Sequence, residues 1–431
     1  MLKIFNSVKK RIYLDYASLT PIDPRVLRVI KKYSSTKYAN PSSWYKEGVL
    51  AKKALDEARK GVASFLHAHA DEIIFTSGGT EANNIALQGV VAAYKNNPAH
   101  IIISAVEHSS IMETARILET RGCEVTRIGV DKQGVVFLDE LKKAIKPNTV
   151  LVSIMTVNNE IGTIQPIREI AKIIRQARAK LGSDIYPLFH TDAAQAGLFQ
   201  DLNVEQLGVD LLTLDAGKLY GPRGIGALYA KRIVLNGVIN PIMFGGGQEE
   251  GLRSGTENLP AIMGFAEALK IILGSTLNGD NSRRDKEYVR IHELRNFFID
   301  GLKNIRPDII VNGGGLIHKN IEDRKSNQKV VTSVIVPKCS ISSHSQDLLS
   351  PHILNISIPG IDNEFFVMQL DAAGIACSTK SSCLRDEDES YVLRAIGVDS
   401  KTSVRFSFGR WTKNRDVKKA LKVIAGIFAK Q

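Results

Sequence analysis

The chain has 431 residues, 44% apolar and 24% charged, with 57 Lys+Arg against 45 Asp+Glu and a formal net charge of +12. This is the balance of a globular protein with chain enough for two or three domains and a large core, and it excludes a disordered chain. Its 4 cysteines are too few for a disulfide scaffold, and no apolar run approaches the ~20 residues that a bilayer demands.

The opening stretch MLKIFNSVKKRIYLDYAS holds charges but neither an apolar core of about 7–15 residues nor a small-residue cleavage site. The chain is therefore read as cytoplasmic, with reduced thiols. Cys123, Cys339, Cys377 and Cys383 make no C-x-x-C pair, so no metal site is expected. The basic excess reads as a solvated surface: no RNP, zinc-finger or helix-turn-helix signature accompanies it, and no direct nucleic-acid partner is expected.

Along the chain, DEIIFTS (71–77), HIIISAV (100–106), TVLVSIMTV (149–157), DIYPLFHTD (184–192) and DLLTLDA (210–216) are apolar and nearly continuous. Strands covered on both faces look like this. Helices are expected between them over 79–96, 109–121, 138–145 and 166–180, with Pro166 near the start of the last. Such alternation predicts an α/β domain with a mostly parallel sheet. It breaks near 275. A polar stretch (274–290) reads as a bridge, and a helix is expected over 284–304. Residues 316–350 are polar around one apolar run, KVVTSVIVPK (329–338). A strand in 352–360, a helix over 364–374 and a strand in 402–409 predict a smaller α+β domain. The expected division is 15–273 for the large domain, with 1–14 and 274–431 forming the small one and 316–350 a surface insertion.

Four segments can carry chemistry. In FTSGGTEANNIALQG (75–89) a strand runs through Gly78 and Gly79 into a helix. Helix N–H groups and the Thr80 hydroxyl can converge there on a phosphate, although a plain strand–helix turn capped by Thr80 would read the same way. In HTDAAQ (190–195), Asp192 ends an apolar strand and points to the usual ligand crevice; it suits a ring-nitrogen partner, a cation site or a helix cap. In LDAGKLYGPRGIGALY (214–229), Lys218 sits between a strand and a Gly-rich turn, either on the surface or as a buried nucleophilic amine. Asp192 and Lys218 on successive strand ends fit a pyridoxal phosphate site, with Lys218 as the Schiff-base lysine and Asp192 on the pyridinium nitrogen. In IACSTKSSCLRDEDESYVLRAIG (375–397), Cys383 lies among Ser, Lys380 and Arg385, which suits a thiolate. Cys377, beside Ile375 and Ala376, reads as strand packing, and Cys123 as core.

Taken in order, YLDYASLTPIDPRV (13–26), NPSS (40–43), FTSGGTEANN (75–84), EHSSI (107–111), VNNEIGTIQP (157–166), HTDAAQ, GKLYGPRGIGALY (217–229), GGGQEEGLRSGTEN (245–258), STKSSC (378–383), SYVLRAIG (390–397) and RFSFGRW (405–411) resemble the cysteine desulfurases of the NifS/IscS type. These belong to the class V aminotransferase group of fold-type-I pyridoxal phosphate enzymes. The resemblance implies a seven-stranded sheet in the large domain and conversion of L-cysteine to L-alanine, with sulfur passed to Cys383 as a persulfide. It implies Lys218 as Schiff-base lysine and proton shuttle and His108 stacked on the cofactor ring. Asp192 would meet the ring nitrogen, Gln195 the phenolic oxygen, and Asn159 that oxygen and the substrate carboxylate. Gly79 and Thr80 would hold the phosphate, Thr256 would be a phosphate ligand given to the other subunit of a homodimer, and Arg405 would grip the substrate carboxylate. The sulfur acceptor would be an iron–sulfur scaffold protein, a sulfur carrier or a tRNA-thiolation enzyme.

The chain departs from that pattern in places. Asp215 and Gly217 stand where the family has a phosphate-binding Ser and His, so Asp215 is expected to turn away or to bind a neighbouring donor. Thr379, Lys380 and Ser382 change the cysteine loop, and Trp44 and Tyr45 stand where a His is common. The alternatives are a selenocysteine lyase on the same scaffold and a non-catalytic sulfur-relay scaffold.

Overall fold

The computed structural model describes residues 11–96, 98–274, 282–314, 348–379 and 389–429. Cys339, Lys380, Ser382, Cys383, Arg385 and the run 329–338 lie outside the described residues.

The large sheet has seven strands: β2 (Ile73–Thr76), β3 (His100–Ser104), β4 (Glu124–Ile128), β5 (Thr149–Ser153), β6 (Leu188–Asp192), β7 (Leu211–Asp215) and β8 (Gly226–Ala230). They lie in the order β2-β8-β7-β6-β5-β3-β4. The expected strands shorten at one or both ends but keep their places. Each of β2, β3, β5, β6 and β8 is buried along its whole length, which is why they read as unbroken apolar runs. The edge strand β4 carries half-buried Glu124 and Thr126 and exposed Arg127 and gives a weaker signal. From β7 to β4 every pairing is parallel, whereas β8 runs antiparallel to both β7 and β2. Only residues 216–225 join β7 to β8, too few for a crossover helix, so the chain folds straight back.

Helices α1 (Pro24–Ser35), α2 (Lys46–Leu66), α3 (Gly79–Ala93), α4 (Ser109–Thr120), α5 (Leu138–Ala144) and α6 (Ile167–Leu181) flank this sheet. α3 stops three residues short of the expected 96, ahead of Pro98. Pro166 is the residue before α6 and not within it, and Gly182 ends that helix in the left-handed region at φ 63. The turn into α3 is tight. A Cβ on Gly226 would come within 2.8 Å of the Gly78 backbone, so β8 can pass the start of α3 only with glycine there.

A second, antiparallel sheet is ordered β12 (Ser403–Ser407), β10 (Ile353–Ser357), β9 (Ile310–Asn312). β1 (Ile12–Tyr13) pairs in parallel with β11 (Ile375–Ala376), and Asp15 bridges to Ser407. These pairings tie the early residues to the late ones and lay 15–20 across the C-terminal edge of the large sheet. The end of the expected surface insertion is anchored instead: Leu349 and Ser350 are 1% exposed, and Ile164 N–H donates to the Leu348 carbonyl at 2.8 Å. Among the described residues no helix is long and apolar enough to cross a membrane.

Candidate active site

The C-terminal ends of β6 and β7, the first turns of α3 and α4, and the strap 15–18 enclose a cavity of about 200 Å³. Open α/β sheets bind ligands at this edge. Gly79, Thr80, His108, Asn159, Asp192, Gln195, Lys218 and Arg405 all line it.

Asp192 is the last residue of β6 and 7% exposed. Its Oδ1 accepts from the Ala194 N–H at 2.9 Å, and its Oδ2 accepts from Asn83 Nδ2 at 2.7 Å. Asn83 also donates to Ser110 Oγ at 2.8 Å. His108 caps α4, and its Nδ1 accepts from the Ser110 N–H at 3.2 Å. That bond assigns the proton of the neutral ring to Nε2. One chain of bonds thus runs from Asp192 through Asn83 and Ser110 to His108.

Lys218 closes the 3-10 turn Ala216–Lys218 after β7. Its Nζ donates to the carbonyls of Ala17 at 3.0 Å and Ser18 at 2.5 Å. The same strap accepts the Gln195 side chain, whose Nε2 donates to the Ala17 carbonyl at 2.9 Å. Arg405, from β12, is 2% exposed. Its Nη1 donates to the Asn159 carbonyl at 2.8 Å, and its Nη2 donates to Asp15 Oδ1 at 2.9 Å and Ser18 Oγ at 2.7 Å. Its buried Nε, like Asn83 Oδ1, meets no partner among the described residues.

Gly79 N–H is already answered by the Asp215 carboxylate at 3.0 Å. Asp215 binds a neighbouring donor, as expected, but it does not turn away: it lines the cavity. Thr256 is exposed and lines another cavity, of about 250 Å³, with Ser77, Glu249 and Arg253, so a single chain does not bring it to the cleft. Cys377 and Cys123 are packing residues: burial pushes the Cys377 thiol up strongly and the Cys123 thiol up to about 11.

Sequence reasoning passed over Asn83, Ser110, Asp15 and Glu107. Asn83 carried a signal, since it follows Thr80 by one helical turn and shares its face. Glu107, next to His108, is fully buried. Its Oε1 accepts from Ser104 Oγ at 2.6 Å and the Met155 N–H at 2.9 Å, while Oε2 meets no partner among the described residues. Burial pushes this carboxyl from 4.5 up to about 8 against those two bonds, and the Asp192 charge adds to the rise. Between those values the folded chain holds a proton that the unfolded chain has released, so stability falls as pH rises through the window and levels off above about 8. Glu107→Gln removes this loss. Urea unfolding should show the variant gaining on wild type by about 1.4 kcal/mol per pH unit, a few kcal/mol in all. Parallel pH profiles for the two proteins would refute the assignment.

The site accepts a flat, polar, anionic group. It offers a buried carboxylate for a ring nitrogen, an amine opposite, and buried polar atoms without partners at Asn83 and Arg405. Those residues fit pyridoxal phosphate at its ring end.

The comparisons with known proteins agree. The family model of aminotransferase class-V matches residues 12–309. A cysteine desulfurase IscS of Dictyoglomus turgidum is 38% identical over 98% of this chain and 96% of its own length. A mitosomal cysteine desulfurase of Trachipleistophora hominis is 38% identical over 96% of this chain and 85% of its own. Among solved structures, a NifS-like protein superimposes with a TM-score of 0.82 at 30% identity, covering 98% of this chain and all of the other. With the family model over most of its length and relatives at this identity end to end, the chain belongs to the class V aminotransferases, in their cysteine desulfurase group.

Proposed function

We propose that the chain is a pyridoxal phosphate-dependent cysteine desulfurase that converts L-cysteine to L-alanine and receives the sulfur on Cys383. The C–S bond of the substrate breaks, an S–S bond forms to Cys383, and the thiol proton balances the alanine. When bound, pyridoxal phosphate supplies an electron sink for the pair left at Cα.

The chain's own residues do the rest. Lys218 removes and returns the Cα proton. Asp192, fixed by Asn83 and Ala194, would hold the ring nitrogen, and Gln195 and Asn159 would hold the phenolic oxygen. His108, with its Nδ1 held by Ser110, presents Nε2–H to the cleft. Arg405 exchanges Asp15 for the substrate carboxylate. Thr80 would meet the phosphate, joined by the Gly79 N–H where Asp215 gives it up.

The observation that carries the role of Cys383 is where its segment is anchored. Ser378 N–H donates to the Arg405 carbonyl at 3.1 Å, and the Arg405 N–H returns a bond at 2.7 Å. On the other side, Ser390 Oγ donates to Glu160 at 2.7 Å, and the Tyr391 hydroxyl donates to the Glu107 carbonyl. Both anchors flank the cleft, and Cys383 follows Thr379 by only four residues, within reach of it at ~3.3–3.6 Å per residue.

A homodimer completes this reading, with Thr256 serving the partner's cleft. The adjacent Trp44 and Tyr45, 97% and 57% exposed, support it as apolar surface that a partner would cover. A single-chain mass in sedimentation would overturn it. We take 15–273 as the large domain and 1–14 with 274–431 as the small one, to which both Arg405 and Cys383 belong. The acceptor is a sulfur carrier or iron–sulfur scaffold, and the basic surface favours an acidic one. We place the reaction in the cytoplasm; the mitosomal relative marks an organelle as the other compartment.

The test uses purified protein, pyridoxal phosphate and L-cysteine. Wild type should release alanine and carry an alkylation-trapped persulfide on the Cys383 peptide, and Cys383→Ala should lose the persulfide while still binding cofactor. Alanine without persulfide at Cys383 would overturn the role of that residue, and no alanine from loaded wild type would overturn the activity.

A further inference from the structure

Two departures from the family pattern meet at one point of the cleft. Asp215 closes β7 and caps the turn to Lys218. Its Oδ1 accepts from the Gly217 N–H at 2.8 Å, and its Oδ2 accepts from the Gly79 N–H at 3.0 Å. Gly79 opens α3, a helix of 15 residues, so this carboxylate rests on the positive end of a long helix. Gly217 makes room for it. A Cβ there would stand 3.0 Å from Asp215 Oδ1 and 3.2 Å from Leu19 Cδ1, so a larger residue at 217 would push the carboxylate off its donors. Asp215 and Gly217 therefore act as a pair. The carboxylate also shares the cavity with Thr80 and Lys218.

We propose that Asp215 is the protein's own anion in the phosphate end of the cleft, and that it sets the affinity and selectivity for the cofactor. The inference rests on reading the cleft as a pyridoxal phosphate site. A helix N-terminus rewards an incoming anion through its N–H groups and its dipole. Here a carboxylate already takes that reward at Gly79. A phosphate arriving at Thr80 must either displace Asp215 from Gly79 or sit beside a like charge in a partly buried pocket. Both subtract from what the phosphate contributes, and neither involves the ring nitrogen, which Asp192 would meet. The phosphate therefore contributes less to binding than a neutral side chain at 215 would allow, and the cofactor exchanges more readily.

The experiment titrates the full chain, freed of cofactor, with pyridoxal phosphate and with pyridoxal, which keeps the ring and lacks the phosphate. Binding is read from visible absorbance and confirmed by equilibrium dialysis. Wild type is compared with Asp215→Asn and Asp215→Ser. Both variants should bind pyridoxal phosphate at least about tenfold tighter than wild type, near 1.4 kcal/mol, and pyridoxal within about threefold. The near-isosteric Asn variant carries the test if the Ser variant fails to fold. Unchanged or weaker pyridoxal phosphate binding in a folded variant would overturn the proposal. If wild type and both variants bind neither compound, the cofactor reading itself has failed and the proposal falls with it, an outcome distinct from the previous one.

Discussion

Lys218→Ala should abolish alanine formation, with a fall of at least about 10⁴-fold in kcat, while the chain stays folded. The magnitude follows from two roles lost at once. Positioned proton transfer alone contributes ~10²–10⁴-fold, and the amine is also the group through which the family attaches its cofactor. The geometry around Lys218 explains why no neighbour can replace it. Its Nζ is delivered by a 3-10 turn of three residues and steadied by the carbonyls of Ala17 and Ser18. These are acceptors, so they orient an amine without offering a proton acceptor of useful basicity. Lys218→Arg keeps the charge and the carbonyl contacts but removes the nucleophile, and it should be as inactive as the alanine variant. Borohydride reduction and peptide mass spectrometry separate this from misfolding: the cofactor mass should appear on the Lys218 peptide of wild type and be missing in both variants. Turnover within tenfold of wild type in either variant would show that Lys218 is not the proton carrier.

Most of the large sheet was legible because strands such as TVLVS are buried on both faces and too short for a buried helix, whereas the edge strand β4 gives a weaker signal. The reversal of β8 was not legible, because the apolar pattern of GALYA carries no direction; the direction is set by the length of the turn before it. The cleft was legible as a set of residues, since Asp192 and Lys218 fall at strand ends and Thr80 at a helix start. Its wiring was not. The Asp15–Arg405 pair joins residues 390 apart in sequence, and the Asn83–Asp192 bond joins residues 109 apart. No local pattern encodes such contacts; the first comes from the strap held by the β1–β11 pairing, the second from the packing of α3 on β6. Asp215 was legible as an anomaly, and its two donors became visible only once Gly79 and Gly217 were placed around it. Cys383 was read from sequence alone, and the structure contributes the anchors of its segment at Arg405, Glu160 and Glu107.

Asp192→Asn is expected to lower kcat by about 10²–10³-fold with little change in fold, as when a preorganised electrostatic partner is removed. The carboxylate is held by two donors, Ala194 N–H and Asn83 Nδ2, one on each oxygen. An amide has one oxygen, so its NH₂ must face a donor or turn toward the cleft, where it presents hydrogens to a ring nitrogen that needs a negative partner. The ring nitrogen then loses the charge that keeps it protonated, and the electron sink weakens. Cofactor attachment at Lys218 does not require Asp192, so borohydride trapping should remain near wild type while turnover falls; that split separates an electronic role from simple loss of the site. A second readout lies in the protein itself. Burial holds the Glu107 carboxyl up and the Asp192 charge adds to the rise, so its removal should lower the Glu107 titration and shrink, without abolishing, the pH-dependent gain seen on Glu107→Gln. An Asp192→Asn variant with wild-type turnover, or one in which the Glu107 titration stays where it was, would show that the Asp192 carboxylate does not govern the charge of this cleft.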